Sequence, residues 1–112
     1  MRFYGIDIML DTISADDLTP YINRPCRVTH VSGHQFELVI ASIEQKPNLP
    51  KLPNQRAPFS VLLSGALEPA FVFGMMNLEV DTITLLTDVH IERILPPFGT
   101  DPNFAYYQII FN

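Results

Sequence analysis

Ile83-Thr84-Leu85-Leu86-Thr87-Asp88-Val89-His90-Ile91 carries the clearest alternation in this chain. Ile83, Leu85, Thr87, Val89 and Ile91 fall on one side of an extended backbone, while Thr84, Asp88 and His90, followed by Glu92, fall mostly on the other. Successive side chains of a strand point to opposite faces, so the stretch predicts a β-strand with one dry and one wet side. From Gly33 to Asn112 the same texture repeats as short apolar runs cut apart by proline and glycine. Ten prolines also weigh against long helices, because proline lacks an N–H and its ring blocks the helix interior.

On either side of that stretch the chain divides into further strands. Cys26 to Val31 and Phe36 to Ile43 flank Ser32-Gly33-His34, where the glycine supplies the positive φ of a tight hairpin. Phe59 to Ser64 places Phe59, Val61 and Leu63 on one face and ends at Gly65; with Ser60 and Ser64 small enough for a covered opposite side, it is expected to be the central strand. Phe71 to Phe73, a break at Gly74, and Met76 to Val80 predict two short strands, and Asp81-Thr82 turns the chain into Ile83. The turn formers from Pro96 to Asn103 lead to a last strand, Ala105 to Phe111. One short helix is expected from about Ala15 to Ile22, with Ser14 as N-cap, Asp17 three residues on, and Ile13 and Leu18 at the staple positions. Residues 44–58 hold four prolines in a polar segment that predicts a long surface loop. The expected architecture is all-β: a small antiparallel barrel or sandwich of six to seven strands, up-and-down in order, with one short N-terminal helix. Residues 1–11 form an N-terminal arm or extra strand, and residues 12–112 a single β domain.

Composition narrows the function classes. Apolar residues make up 47% and charged residues 17%, which suits a folded core rather than a disordered segment. A net charge of −5, with no basic cluster beyond Arg24 and Arg27, argues against a nucleic-acid phosphate track. No stretch approaches the roughly 20 apolar residues of a membrane span, and Met1 to Leu10, with Asp7 in its middle, does not resemble a signal peptide. The single cysteine, Cys26, fits a reducing compartment, and a cytoplasmic location is expected.

The order of Ser14-Ala-Asp-Asp-Leu18, a hairpin, Pro58-Phe59-Ser60-Val61-Leu62-Leu63-Ser64-Gly65, a Gly74 turn before Leu78-Glu79, and Tyr107-Gln108-Ile109-Ile110-Phe111-Asn112 resembles a family of small uncharacterised bacterial all-β domains. The resemblance covers roughly residues 12 to 112. It implies a fold and a genomic context, since some members of that family sit beside phage-tail-collar-like genes, and it carries no catalytic residue over to this chain.

Candidate chemistry is sparse. His30 and His34 flank the hairpin turn with Cys26 further down the strand, but this is not a zinc spacing and a second pair of ligands is missing. His90 lies between Asp88 and Glu92 on a polar face. Ser60 and Ser64 sit on a strand rather than at a nucleophile elbow, and Glu37, Glu79, Asp81 and Glu92 alternate with apolar residues as wet-face acids do. No catalytic, cofactor or metal residue is assigned, and no enzyme is expected. Phe71, Phe73, Met75 and Met76 form the densest apolar group, suited to an adaptable contact surface, and Tyr4, Ile6 and Ile8 of the arm alternate as a pairing strand does. The expectation is a structural or adaptor module of a larger, phage-tail-like assembly, with protein partners or self-association and neither nucleic acid nor membrane. The alternative is a small-ligand-binding β-barrel.

Overall fold

Six strands close into an antiparallel barrel in a computed structural model that describes residues 13–45, 58–68, 70–80 and 83–111. The arm with Tyr4, Ile6 and Ile8, residues 46–57 of the proline-rich segment, and the Asp81-Thr82 turn lie outside the described residues. The strands are β1 (Pro25–His30), β2 (Gln35–Gln45), β3 (Phe59–Ala66), β4 (Phe73–Val80), β5 (Ile83–Ile94) and β6 (Phe104–Phe111). Around the barrel they run β1-β2-β3-β6-β5-β4, with β4 closing on β1. Two three-strand meanders therefore meet edge to edge, β3 against β6 and β1 against β4. This departs from the up-and-down order expected from short turns, because the chain after β3 crosses one end of the barrel before β4 begins.

That crossing shares its end with the β1–β2 hairpin and the 95–103 loop, since His30 pairs with Met76 and Ala66 with Phe104. We call this the hairpin end. The opposite, helix end carries α1 (Ala15–Leu18), which packs against β2 and continues into a 3-10 turn, Thr19–Tyr21. Asp17 Oδ2 accepts hydrogen bonds from the Ser14 N–H at 2.8 Å and the Ser14 hydroxyl at 3.2 Å, so the capping expected from the sequence is built. The α-helix is shorter than expected, because Pro20 sits at the start of the 3-10 turn and brings no N–H to continue the ladder. Ile13 and Leu18 are both buried in the core.

Two departures from strict alternation shape the barrel. In β4 the expected break at Gly74 is absent: the strand runs through it, and a Cβ there would lie 2.6 Å from His30 Nε2, so glycine leaves room for an imidazole laid across the barrel end. In β5, Leu85 and Leu86 are both buried. The β4–β5 register shifts between Met76 and Leu78 and again between Leu78 and Glu79, so β5 holds two residues more than its partner over that span. Asp88 takes φ 51 at the first shift, and its N–H donates to Asn77 Oδ1 at 3.1 Å. A similar shift in β2 between Ile40 and Ser42 turns Ile43 back toward the core.

β3 is bonded on both sides, to β2 and along its whole length to β6. Its inward residues Phe59, Val61 and Leu63 are each at most 1% exposed. At the next inward position, a Cβ on Gly65 would collide with Leu38 Cδ2 and come within 3.2 Å of the Glu37 carbonyl. Phe59 stacks on Phe111 of β6 with ring centroids 4.6 Å apart, an arrangement worth about 0.5–1.5 kcal/mol beyond burial. Leu63→Ala should therefore cost on the order of 2–5 kcal/mol, as core truncations do. His34→Ala, in an exposed turn, should stay within about 0.5 kcal/mol. Urea melts of the two variants test this, and equal small losses would show that the core lies on other strands.

Candidate functional site

The exposed apolar side chains of β4 gather near the hairpin end. Phe73 and Met75 share the odd-numbered, outward parity of the strand, whereas Met76, Leu78 and Val80 share the inward one. Phe73 is 62% exposed and Met75 44%, and Val72 and Val31 beside them are exposed at 72% and 76%. The register fixes their arrangement. His30, the last residue of β1, pairs with Met76, and Val31 follows it in the hairpin turn; on the other side Met75 pairs with His90 and Phe73 with Glu92. The Phe73 ring lies tilted over His90 at 6.1 Å. Met75 and His90 thus lie side by side on β4 and β5, with Phe73 diagonal to His90.

Of the residues expected to form a contact surface, Phe73 and Met75 face outward and the other two do not. Met76 is 1% exposed and belongs to the interior, a correction that its parity with Leu78 and Val80 makes intelligible. Phe71 is half-buried and packs on the core as a plug, its ring stacked on Tyr107 at 4.3 Å and tilted against Phe36 at 4.8 Å. Burial raises the Tyr107 phenol above its ordinary pKa, opposed by a hydrogen bond from the Phe71 backbone and by the charge of Arg93. Val31 and Val72 were not singled out from the sequence, which places both in strands; the structure puts Val31 in the hairpin turn and Val72 in the bend before β4.

The hairpin turn brings His30 and His34 together through Ser32. The Ser32 N–H donates to His30 Nδ1 at 3.1 Å, and the Ser32 hydroxyl lies 2.9 Å from His30 Nδ1 and 3.3 Å from His34 Nδ1. A backbone donor on His30 Nδ1 places the neutral ring's proton on Nε2, and this geometry serves to staple the turn. Cys26 is not with them. It points into the barrel, where burial, and secondarily the Glu37 charge, push its thiol from 9.0 up to about 12. Among the described residues no three His, Cys, Asp or Glu side chains gather as a metal site. Glu37 is ion-paired to Arg27 at 3.0 Å, Arg27 also pairs across strands with Glu79, and Glu79 accepts from the Thr84 hydroxyl at 3.3 Å. These acids form a solvated ladder. Ser60 lines an open groove of about 480 Å³ on the outside of the barrel, with Ser42, Leu62, Ile94, Pro97 and Gln108.

A family model described as Domain of unknown function (DUF6916) matches residues 13–111. The chain belongs to this family. The match begins at Ile13, the first described residue and one with no exposed surface, so the family's domain and the barrel with its helix coincide. No curated protein and no solved structure matches the chain. No described helix is long and apolar enough to cross a membrane.

The buried thiol generates a prediction. The folded protein holds the Cys26 proton that the unfolded chain releases near its ordinary value. The stability this contributes is present in full below pH 9.0 and is lost as pH rises toward about 12. Urea melts from about pH 8 to about pH 11 should show the wild type losing more stability than Cys26→Ala, and Cys26 should resist a thiol reagent until the protein is unfolded. Rapid labelling of the folded protein at neutral pH would contradict the inward placement.

Proposed function

We propose that this DUF6916 barrel is a non-enzymatic structural or adaptor module, one subunit of a larger bacterial assembly of the phage-tail-like kind, acting in the cytoplasm through protein partners or further copies of itself. The observation that carries the reading is the set of exposed apolar side chains Phe73 and Met75 on β4, with His90 paired beside Met75 and with Val31 and Val72 exposed in the flanking turns; Leu95, Phe98, Phe104 and Ile110 are further apolar side chains left in water. Flexible methionine and flat aromatic surface suit a contact that must adapt to a partner. The acidic net charge supports a partner other than nucleic acid.

The ligand-binding alternative gains less support from the geometry. Val28, Leu38, Ile40, Leu63, Leu78, Leu85, Ile91 and Ile109 fill the interior, each at most 4% exposed, and the Phe71 plug occupies the hairpin end. The groove around Ser42, Ser60 and Gln108 lies outside the barrel and is open to solvent.

Light scattering after size exclusion, together with affinity capture from the source cell, tests the proposal. The wild type should associate with itself or with a defined protein, and Phe73→Asp combined with Met75→Asp should weaken that association at least tenfold, about 1.4 kcal/mol. The melting temperature should stay unchanged, since both side chains are solvent-facing. A strict monomer at high concentration that captures no protein would count against the reading.

A further inference from the structure

The 95–103 loop is built rigidly and carries two side chains that the fold does not use. Among the described residues Leu95 and Phe98 are the most exposed large apolar side chains, Phe98 completely so. The backbone beneath them is nevertheless fixed. The Thr100 N–H donates to the Pro97 carbonyl at 3.0 Å, and Gly99 takes φ 84, the left-handed position that closes the turn behind Phe98. Farther on, the Asp101 carbonyl accepts from the Tyr106 hydroxyl at 2.9 Å and from the Phe104 N–H at 3.3 Å, while Asp101 Oδ1 accepts from the Asn103 N–H at 2.9 Å. Tyr106 has the outward parity of β6 and is buried all the same, so the loop lies across the outer face of that strand. An aromatic side chain held bare on a preset turn loses little conformational entropy when a partner covers it.

Beside this loop the outer face of the barrel is hollow. Ser42 pairs with Leu62, Leu62 with Gln108 and Gln108 with Glu92, which sets one row across β2, β3, β6 and β5; Glu44, Ser60 and Ile110 set the next. The serines at 42 and 60 keep the surface low, while Ile94 at the end of β5 and Pro97 of the loop border it, and the groove so formed holds about 480 Å³. A cavity of about 150 Å³ is enough for a benzene ring, so there is room for the Phe98 ring and the Leu95 side chain of another molecule. The molecule's own Phe98 does not occupy the groove, being wholly in solvent although Pro97 before it lines the wall. Anchor and groove therefore sit side by side on one face. A two-fold axis then lets each molecule give its anchor and receive its partner's, and the contact closes at two copies.

We infer that this face is a reciprocal dimer contact, with Phe98 of each copy, flanked by Leu95, seated in the groove of the other between Ser42, Ser60 and Gln108. Two aromatic rings of about 150–250 Å² each, with the groove surface they cover, give an interface at the lower end of specific contacts. The dimer is therefore reversible and fills as concentration rises. A lipid surface suits the loop less, because Asp101 follows close behind Phe98 and the chain carries a net charge of −5, which an anionic leaflet repels. β3 stands opposite β4 in the order of strands around the barrel, so the contact leaves the β4 strip free. The inference goes beyond the assembly reading and does not depend on it.

Sedimentation velocity on the full chain across a wide concentration range tests it. The wild type should pass reversibly from monomer to dimer. Phe98→Asp, which removes the anchor, and Ser60→Trp, which fills the groove, should each raise the dissociation constant by about tenfold or more, as loss of an aromatic anchor does. Ser42→Trp, at an exposed position of the same groove, takes over the groove test if melting shows Ser60→Trp to be unfolded. An equimolar mixture of the anchor and groove variants should dimerise better than either alone, because one intact Phe98 then meets one intact groove. Phe73→Asp combined with Met75→Asp should leave this dimer unchanged, which separates its failure from failure of the β4 contact. A wild type that stays monomeric throughout, a dimer indifferent to both substitutions, or a mixture no better than its components would overturn the inference. Binding to phosphatidylglycerol vesicles that Phe98→Asp abolishes, by a protein monomeric in solution, would overturn it in favour of a membrane anchor.

Discussion

Because β3 is hydrogen-bonded to β2 along one edge and to β6 along the other, its inward side chains are where the two meanders become one core. Eight residue pairs join β3 to β6, against four between β1 and β4 at the second seam. The larger seam holds Phe59 stacked on Phe111, Val61 opposite Ile109 and Leu63 opposite Tyr107. At its hairpin end the pair Gly65 and Ala105 leaves space that Leu38 fills from the neighbouring strand. A large residue at either place would force the strands apart, and Phe71 would lose the Tyr107 face on which it lies.

The exterior of the barrel is uneven. Across β2, β1 and β4 it carries Glu37, Arg27 and Glu79 as a charged row, which keeps that face in water. Toward the hairpin end the same three-strand neighbourhood switches to Val31, Met75 and Phe73. At the same end Phe71 packs between Phe36 and Tyr107, and the His30 ring lies against Gly74. A rigid support beneath exposed apolar side chains lowers the entropy lost when they are buried against a partner.

Much of this was legible from residue order, for a physical reason. No bulge adds a residue to β1, β3 or β6, so parity identifies the inward residues Val28, Leu63 and Ile109, although Tyr106 of β6 is buried as well. The same parity separates Met75 from Met76, although their clustering invites treating them as one surface. What parity does not encode is a bulge. The two extra residues of β5 bury Leu86 together with Leu85, and their position depends on which strand lies alongside. The strand order is likewise hidden, since pairing β3 with β6 is a contact between distant segments that no local pattern announces. The convergence of His30 and His34 was visible from the turn, but the role of Ser32 between them follows only from the hydrogen bonds.

The reading proposed for this barrel is that the outer face of β4 meets other proteins. Amide NMR spectra recorded across a concentration series, or with a captured partner added, address it most directly because every strand is read at once. The account predicts shifts concentrated at Val31, Val72, Phe73, Met75 and His90, with inward residues such as Leu63 and Val28 unmoved. Shifts confined to the groove around Ser42, Ser60 and Gln108, or spread through the interior, would contradict it.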